Sequence, residues 1–101
     1  MDNNTVILDL TGCKYILELH ERIKKAFDFP DFYGRNWDAF NDLIWSECAA
    51  EKIIIVGADT MPKEFKGQID MMCKVIEENN QQRAKYGEKL EYEFADKVPH
   101  N

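Results

Sequence analysis

Asp38 and Asp42 stand four residues apart, and Trp45 follows three residues later. Carboxylates at that spacing share one face of a helix, where they could hold a divalent cation, act as an acid–base pair, or offer charge to a basic partner. The first two readings lack their remaining parts. His20 falls among charges and reads as a solvated helix histidine, and His100 lies in the tail, expected to be mobile. Gly57-Ala58-Asp59 is too short a match for a phosphate-cradling loop, and no nucleophile can be paired with a base. The chain therefore reads as a binding protein without catalytic residues, metal or cofactor.

The distribution of charge sharpens this. Residues 28–51 contain Asp28, Asp31, Asp38, Asp42, Glu47 and Glu51 against the single Arg35, so this segment carries −5 of the net −6. A field concentrated in that way attracts a basic protein and repels nucleic acid. The plainer alternative is a solvated face that serves only solubility.

With 101 residues, 45% hydrophobic and 32% charged, the composition fits one folded domain spanning 1–101, with a flexible tail after about 96. Cys13, Cys48 and Cys73 are odd in number, widely spaced and without a C-x-x-C pair, and are expected to be free, reduced and mostly buried. Met1-Asp2-Asn3-Asn4 lacks the basic start and apolar run of a secretory signal, and no stretch approaches the roughly 18 apolar residues of a membrane span. A soluble, cytoplasmic protein, monomeric when free, is the expectation.

The elements that must position the acidic segment can be read from periodicity. Thr5-Val6-Ile7-Leu8-Asp9-Leu10 reads as a strand, and Thr11-Gly12 turns out of it. Ile16, Leu19, Ile23 and Ala26/Phe27 predict an amphipathic helix, and Pro30 and Gly34 predict a loop over 29–34. Asn36 is a suitable N-cap for a second helix over roughly 37–47, with Asp38 favoured in its first turn. Lys52-Ile53-Ile54-Ile55-Val56 predicts a strand covered on both faces. A third helix, capped by Thr60 or Asp59 with Pro62 in its first turn, carries Phe65, Ile69, Met72 and Val75/Ile76 inward and stops at Gly87. Leu90-Glu91-Tyr92-Glu93-Phe94 alternates as a strand with one wet face. Strands separated by helices imply a small α/β fold with parallel pairing, although strand order is not readable.

On the second helix, Trp37, Phe40, Leu43 and Ile44 form the core face. Relative to Trp37, Asn41, Trp45, Asp38 and Asp42 fall at about 40°, 80°, 100° and 140°. A tryptophan thus sits beside two mutually repelling carboxylates on the face turned from the core. That arrangement suits a binding hot spot; the alternative is a Trp45 tucked under a neighbouring loop.

Tyr33-Gly34-Arg35-Asn36-Trp37-Asp38-Ala39-Phe40-Asn41-Asp42 resembles the Y-G-x-N-x-D-A-φ-x-D signature of barstar-like ribonuclease inhibitors. Leu19-His20-Glu21-Arg22-Ile23-Lys24 and Phe29-Pro30 are similar to that family's first helix and its exit. The resemblance implies a three-stranded parallel sheet packed with three or four helices. It also implies that the loop and second helix enter the cleft of a basic ribonuclease or nuclease toxin. Asp42 would then mimic the substrate phosphate, Asp38 would face basic residues at the cleft edge, and Gly34 would permit close approach. Phe32, Tyr33, Arg35, Asn36, Asn41, Trp45 and Glu78 complete the expected partner-binding set.

Several of these positions depart from the family pattern. Phe32 replaces a loop tyrosine, Arg35 an acidic residue and Asn41 an aromatic one, with Trp45 placed to supply the missing aromatic contact. A carboxylate on the third helix corresponds to Glu77 or Glu78. The short helix after the family's second strand is merged or missing near Met61–Gly67. The same fold could also serve as an immunity or binding module for a partner other than a ribonuclease. A small metal-dependent hydrolase is the remaining alternative.

Overall fold

The computed structural model describes residues 5–46 and 50–96. The expectations placed on Glu47, Cys48, the first four residues, His100 and the tail lie outside the described residues. The chain runs through β1 (Thr5–Asp9), α1 (Ile16–Phe27), α2 (Trp37–Ser46), β2 (Lys52–Val56), α3 (Lys66–Arg83) and β3 (Glu91–Ala95). Short 3₁₀ turns occupy Ala58–Thr60, Lys63–Phe65 and Ala84–Tyr86.

The sheet has the order β1-β2-β3, and both pairs are parallel. Two right-handed crossovers that step in the same direction place their helices on one side of the sheet. The burial follows that rule. Leu8, Ile53 and Ile55 join the main core cluster with Leu19, Ile23, Phe40, Ile44, Met72 and Ile76, whereas Ile54 and Val56 lie outside it. Ile53 and Ile55 thus face the helices, while Val56 on the opposite face is only 2% exposed, so β2 is covered on both faces as expected. Ile54 is also buried, in register between Ile7 and Glu93. Lys52 and Glu93 form an ion pair at 3.2 Å.

The crossover between β2 and α3 also differs from expectation. Neither Thr60 nor Asp59 caps α3, which begins at Lys66 without a side-chain cap. Two 3₁₀ turns intervene, with Pro62 ahead of the second. Thr60 fastens the two connections together: its hydroxyl donates to the Gly57 carbonyl at 2.7 Å and accepts from the Gly12 N–H at 3.1 Å. At its far end α3 passes into the 84–86 turn, which Gly87 closes in the left-handed conformation, as its position predicted. Leu90 precedes β3 as a buried anchor. The Asn80 side-chain amide donates to its carbonyl at 2.8 Å and accepts from its N–H at 2.7 Å.

Cys13 is buried and Cys73 half-buried, and both thiols are free. Burial pushes both thiols above the ordinary value, which suits inert packing rather than reactivity.

Gly57 combines a φ of +74° with backbone contact, since a Cβ there would stand 2.7 Å from the Thr11 N and Cα. Gly12 has the same φ but open space around it. Gly57→Ala should therefore cost about 2 kcal/mol or more, and Gly12→Ala about 1 kcal/mol. Urea melts of the two variants check this, and equal midpoints would show that the Gly57–Thr11 approach is not tight.

Candidate binding surface

The candidate surface begins where α1 stops. Asp28 adopts the left-handed conformation (φ 55°) and its N–H caps the helix. The chain then turns through Phe29, whose ring is buried against Phe27, Phe40 and Tyr33. Tyr33 N–H donates to the Pro30 carbonyl at 3.0 Å, closing a tight turn. That turn throws Phe32 outward, 76% exposed, while Tyr33 points inward at 1% exposure. Tyr33 was expected at the interface, and its side chain is not available there. An apolar ring under the loop is worth more buried than wet, and its hydroxyl has an internal partner.

That partner is His20. Its Nδ1 lies 2.6 Å from the Tyr33 hydroxyl, and its ring packs 4.6 Å from that of Trp37. At 2% exposure, His20 is not the solvated helix residue expected from its charged neighbours. It lies three residues before Ile23 and seven before Phe27, on the inward stripe, and that spacing was the available signal. Ile16, expected on the same stripe, is exposed at the helix start. Burial holds its pKa below the ordinary 6.5, with a smaller contribution from the Arg35 charge. The neutral ring and the phenol share one hydrogen bond whose direction is set by the histidine tautomer. Burial likewise raises the Tyr33 phenol far above its usual value.

Beyond Tyr33 the loop is held by side chains. Arg35 takes a left-handed backbone (φ 53°), pairs with Glu21 of α1, and donates weakly to the Tyr33 carbonyl. Asn36 caps α2 as expected: its Oδ1 accepts from the Ala39 N–H at 2.7 Å, and its Nδ2 donates to the Gly34 carbonyl at 3.1 Å. Gly34 lies against that cap, where a Cβ would come within 3.2 Å of Asn36 Nδ2. Trp37 is half-buried, and its Nε1–H donates to Gln68 of α3 at 2.9 Å.

Phe40, Leu43 and Ile44 turn α2 inward, so Asp38, Asn41, Asp42 and Trp45 face outward together, as the helical angles predicted. Asp42, Asn41 and Trp45 line an open groove of about 440 Å³ whose far wall is Glu78, Asn79 and Gln82 of α3. Of the two third-helix carboxylates considered, Glu78 lines this groove; Glu77 lies with Lys52, Asn80 and Tyr92 in another. Trp45 is 47% exposed and lies against Arg83 and Tyr86, not under a loop.

Charge pairing separates the acidic residues. Asp31 is tied to Lys24 at 3.0 Å, and that hydrogen bond lowers its pKa. Asp38, Asp42 and Glu78 make no ion pair among the described residues. Also among the described residues, no three metal-ligating side chains converge, and no helix is long and apolar enough to cross a membrane.

The buried histidine sets a pH dependence. Its folded pKa lies below the unfolded value, so the unfolded chain binds the proton more readily. Stability is therefore fully present above about pH 6.5 and declines as pH falls from there toward the folded value. Denaturant midpoints between pH 7.5 and 5.5 should fall in the wild type and flatten in His20→Gln. An equally steep fall in the variant would assign the dependence to other groups.

The sequence has counterparts among known proteins. Residues 3–95 match the family model described as Barstar (barnase inhibitor). A stretch of 39 residues is 44% identical to a Bacillus subtilis (strain 168) protein named "Putative ribonuclease inhibitor YrdF". That match spans 39% of this chain and 43% of the relative. Proteins of this family are inhibitors rather than enzymes, and the parallel three-stranded α/β fold agrees with the family. With nearly its whole length matched, the chain belongs to the barstar family.

Proposed function

We propose that this chain binds a basic ribonuclease and blocks its active site with the 28–36 loop and the outward face of α2, acting as an immunity protein in the cytoplasm of the cell that makes the nuclease. The observation that carries this reading is the exposure of Asp38, Asp42 and Glu78, without ion-pair partners among the described residues, beside the half-exposed Trp45. Folding has no use for this combination. Asp38 and Asp42, four apart on one helix, repel each other by a few tenths of a kcal/mol. A large exposed aromatic adds apolar surface that stays in water.

Each part has a physical task in such a complex. The Asp42 carboxylate offers two oxygens to arginines that otherwise hold a phosphate, and the pairing strengthens as water is excluded. Asp38 and Glu78 extend that charge to the cleft edges. Phe32 stacks on a cleft side chain without a hydroxyl of its own. Gly34, Arg35, Asn36 and Asn41 shape the approach of the loop, and Tyr33 contributes from beneath by holding it. The excess negative charge speeds encounter with a basic enzyme.

Barnase is the natural first probe, with inhibition of RNA cleavage and binding as readouts. Asp42→Ala should weaken binding by about 2–5 kcal/mol, a range set in part by barnase and its own inhibitor, while leaving folding stability unchanged or slightly higher. Trp45→Ala should cost more than about 1 kcal/mol of binding. Asp42→Ala binding as tightly as the wild type would contradict the mechanism. In the wild type, the association rate should fall steeply with added salt while dissociation changes little. A salt-independent association rate would reduce the acidic segment to a solubility feature.

A further inference from the structure

From the groove's lining at Asn41 and Asn79 a polar seam runs inward to Arg83, a residue to which the binding reading gives no role. Arg83, near the end of α3, is only 8% exposed, yet no carboxylate partners it among the described residues. Its Nε–H donates to Asn79 Oδ1 at 2.5 Å, and its Nη2 donates to the Ile44 carbonyl at 2.5 Å. Asn79, also buried, passes the link on by donating from Nδ2 to Asn41 Oδ1 at 3.2 Å. The guanidinium lies 5.4 Å from the centre of the Trp45 ring, and Tyr86 stands 6.4 Å from the same ring.

A guanidinium buried against neutral acceptors is an expensive way to fill space. Well-packed apolar side chains would serve stability as well or better. What the seam supplies is direction. α2 is a ten-residue helix with no basic residue in its last turn. Arg83 puts a positive charge and a donor at that terminus, where the helix dipole is negative. It also presses on Trp45 and, through Asn79, holds Asn41. The groove's α2 wall and its α3 wall, which carry Asp42 and Glu78, are thereby locked in one relative placement.

We infer that Arg83, acting with Asn79, is a positioning residue for the partner-binding surface: it sets the orientation of Trp45 and the separation of the α2 and α3 walls without itself touching the partner. This rests on the binding reading above.

The chain has two tryptophans, Trp37 and Trp45, so 5-fluorotryptophan labelling gives two fluorine resonances, assigned with Trp45→Phe. In Arg83→Met, which keeps the long apolar stem, the Trp45 resonance should move and the Trp37 resonance should stay. Affinity for barnase should fall about tenfold or more, as for loss of a hot-spot contact. Arg83→Lys should show the same loss, because a point charge cannot make two directed bonds and stack on an indole; it also keeps the test in force if Arg83→Met fails to fold. Combining Arg83→Met with Trp45→Ala should cost little more than Trp45→Ala alone, the non-additivity expected of coupled neighbours. Unmoved Trp45 resonance and wild-type affinity in a folded Arg83 variant, with Asp42→Ala still weakened, would overturn this assignment alone. Wild-type affinity in Asp42→Ala as well would remove the binding reading, and this one with it.

Discussion

The hydrogen bond between His20 and the Tyr33 hydroxyl holds the outer surface from within. It ties the middle of the first helix to the loop that follows that helix, and the two rings fill the space beneath the loop together with Trp37 and Phe29. With Tyr33 drawn inward, its neighbour Phe32 points out, since adjacent side chains in this turn project to opposite sides. The next residues then meet the Asn36 cap, and the cap sets where α2 begins. The rotation of α2, and with it the direction of Asp38, Asp42 and Trp45, therefore follows from a contact that no partner would touch. A buried polar pair of this kind contributes modestly to net stability but is costly to leave half-made.

The architecture assigns different tasks to its two helix contacts. α1 packs on β1 and carries the anchor for the loop, while α3 packs on α2 and carries the groove's second wall. The apolar residues of both helices merge into one core with the inner face of the sheet. An acidic surface assembled from a loop and two helices is thereby anchored to that core through Phe29, Tyr33, Phe40, Ile44 and Ile76. Such anchoring matters for a surface that must meet a preformed cleft, because freedom lost on binding subtracts from affinity.

Much of this was legible in the sequence, for reasons that differ by element. The strands and the face of α2 follow from apolar periodicity, which packing obeys closely, so Phe40, Leu43 and Ile44 are inward and Asp38, Asp42 and Trp45 outward as read. His20 was misread because its charged sequence neighbours outweighed its place on the inward stripe. Asn79 and Arg83 continue the inward stripe of Met72 and Ile76 at three- and four-residue steps, yet polar residue types conceal burial when no partner is visible. The start of α3 was misplaced because Thr60 has the chemistry of a helix cap, while its hydroxyl serves a carbonyl three residues back. Strand order depends on contacts between distant segments, which local pattern does not encode. The choice between Glu77 and Glu78 likewise required the crossing of two helices.

The central claim is that the loop and the outward faces of α2 and α3 form one surface that enters a ribonuclease cleft. Titrating an isotope-labelled chain with barnase and following backbone amide resonances tests this most directly. The account predicts that the perturbed amides concentrate in residues 31–45 and 78–86, with saturation at one nuclease per chain and loss of RNA cleavage in step. Perturbations centred on β3 and the 58–66 turns, or tight binding that leaves the nuclease fully active, would contradict it.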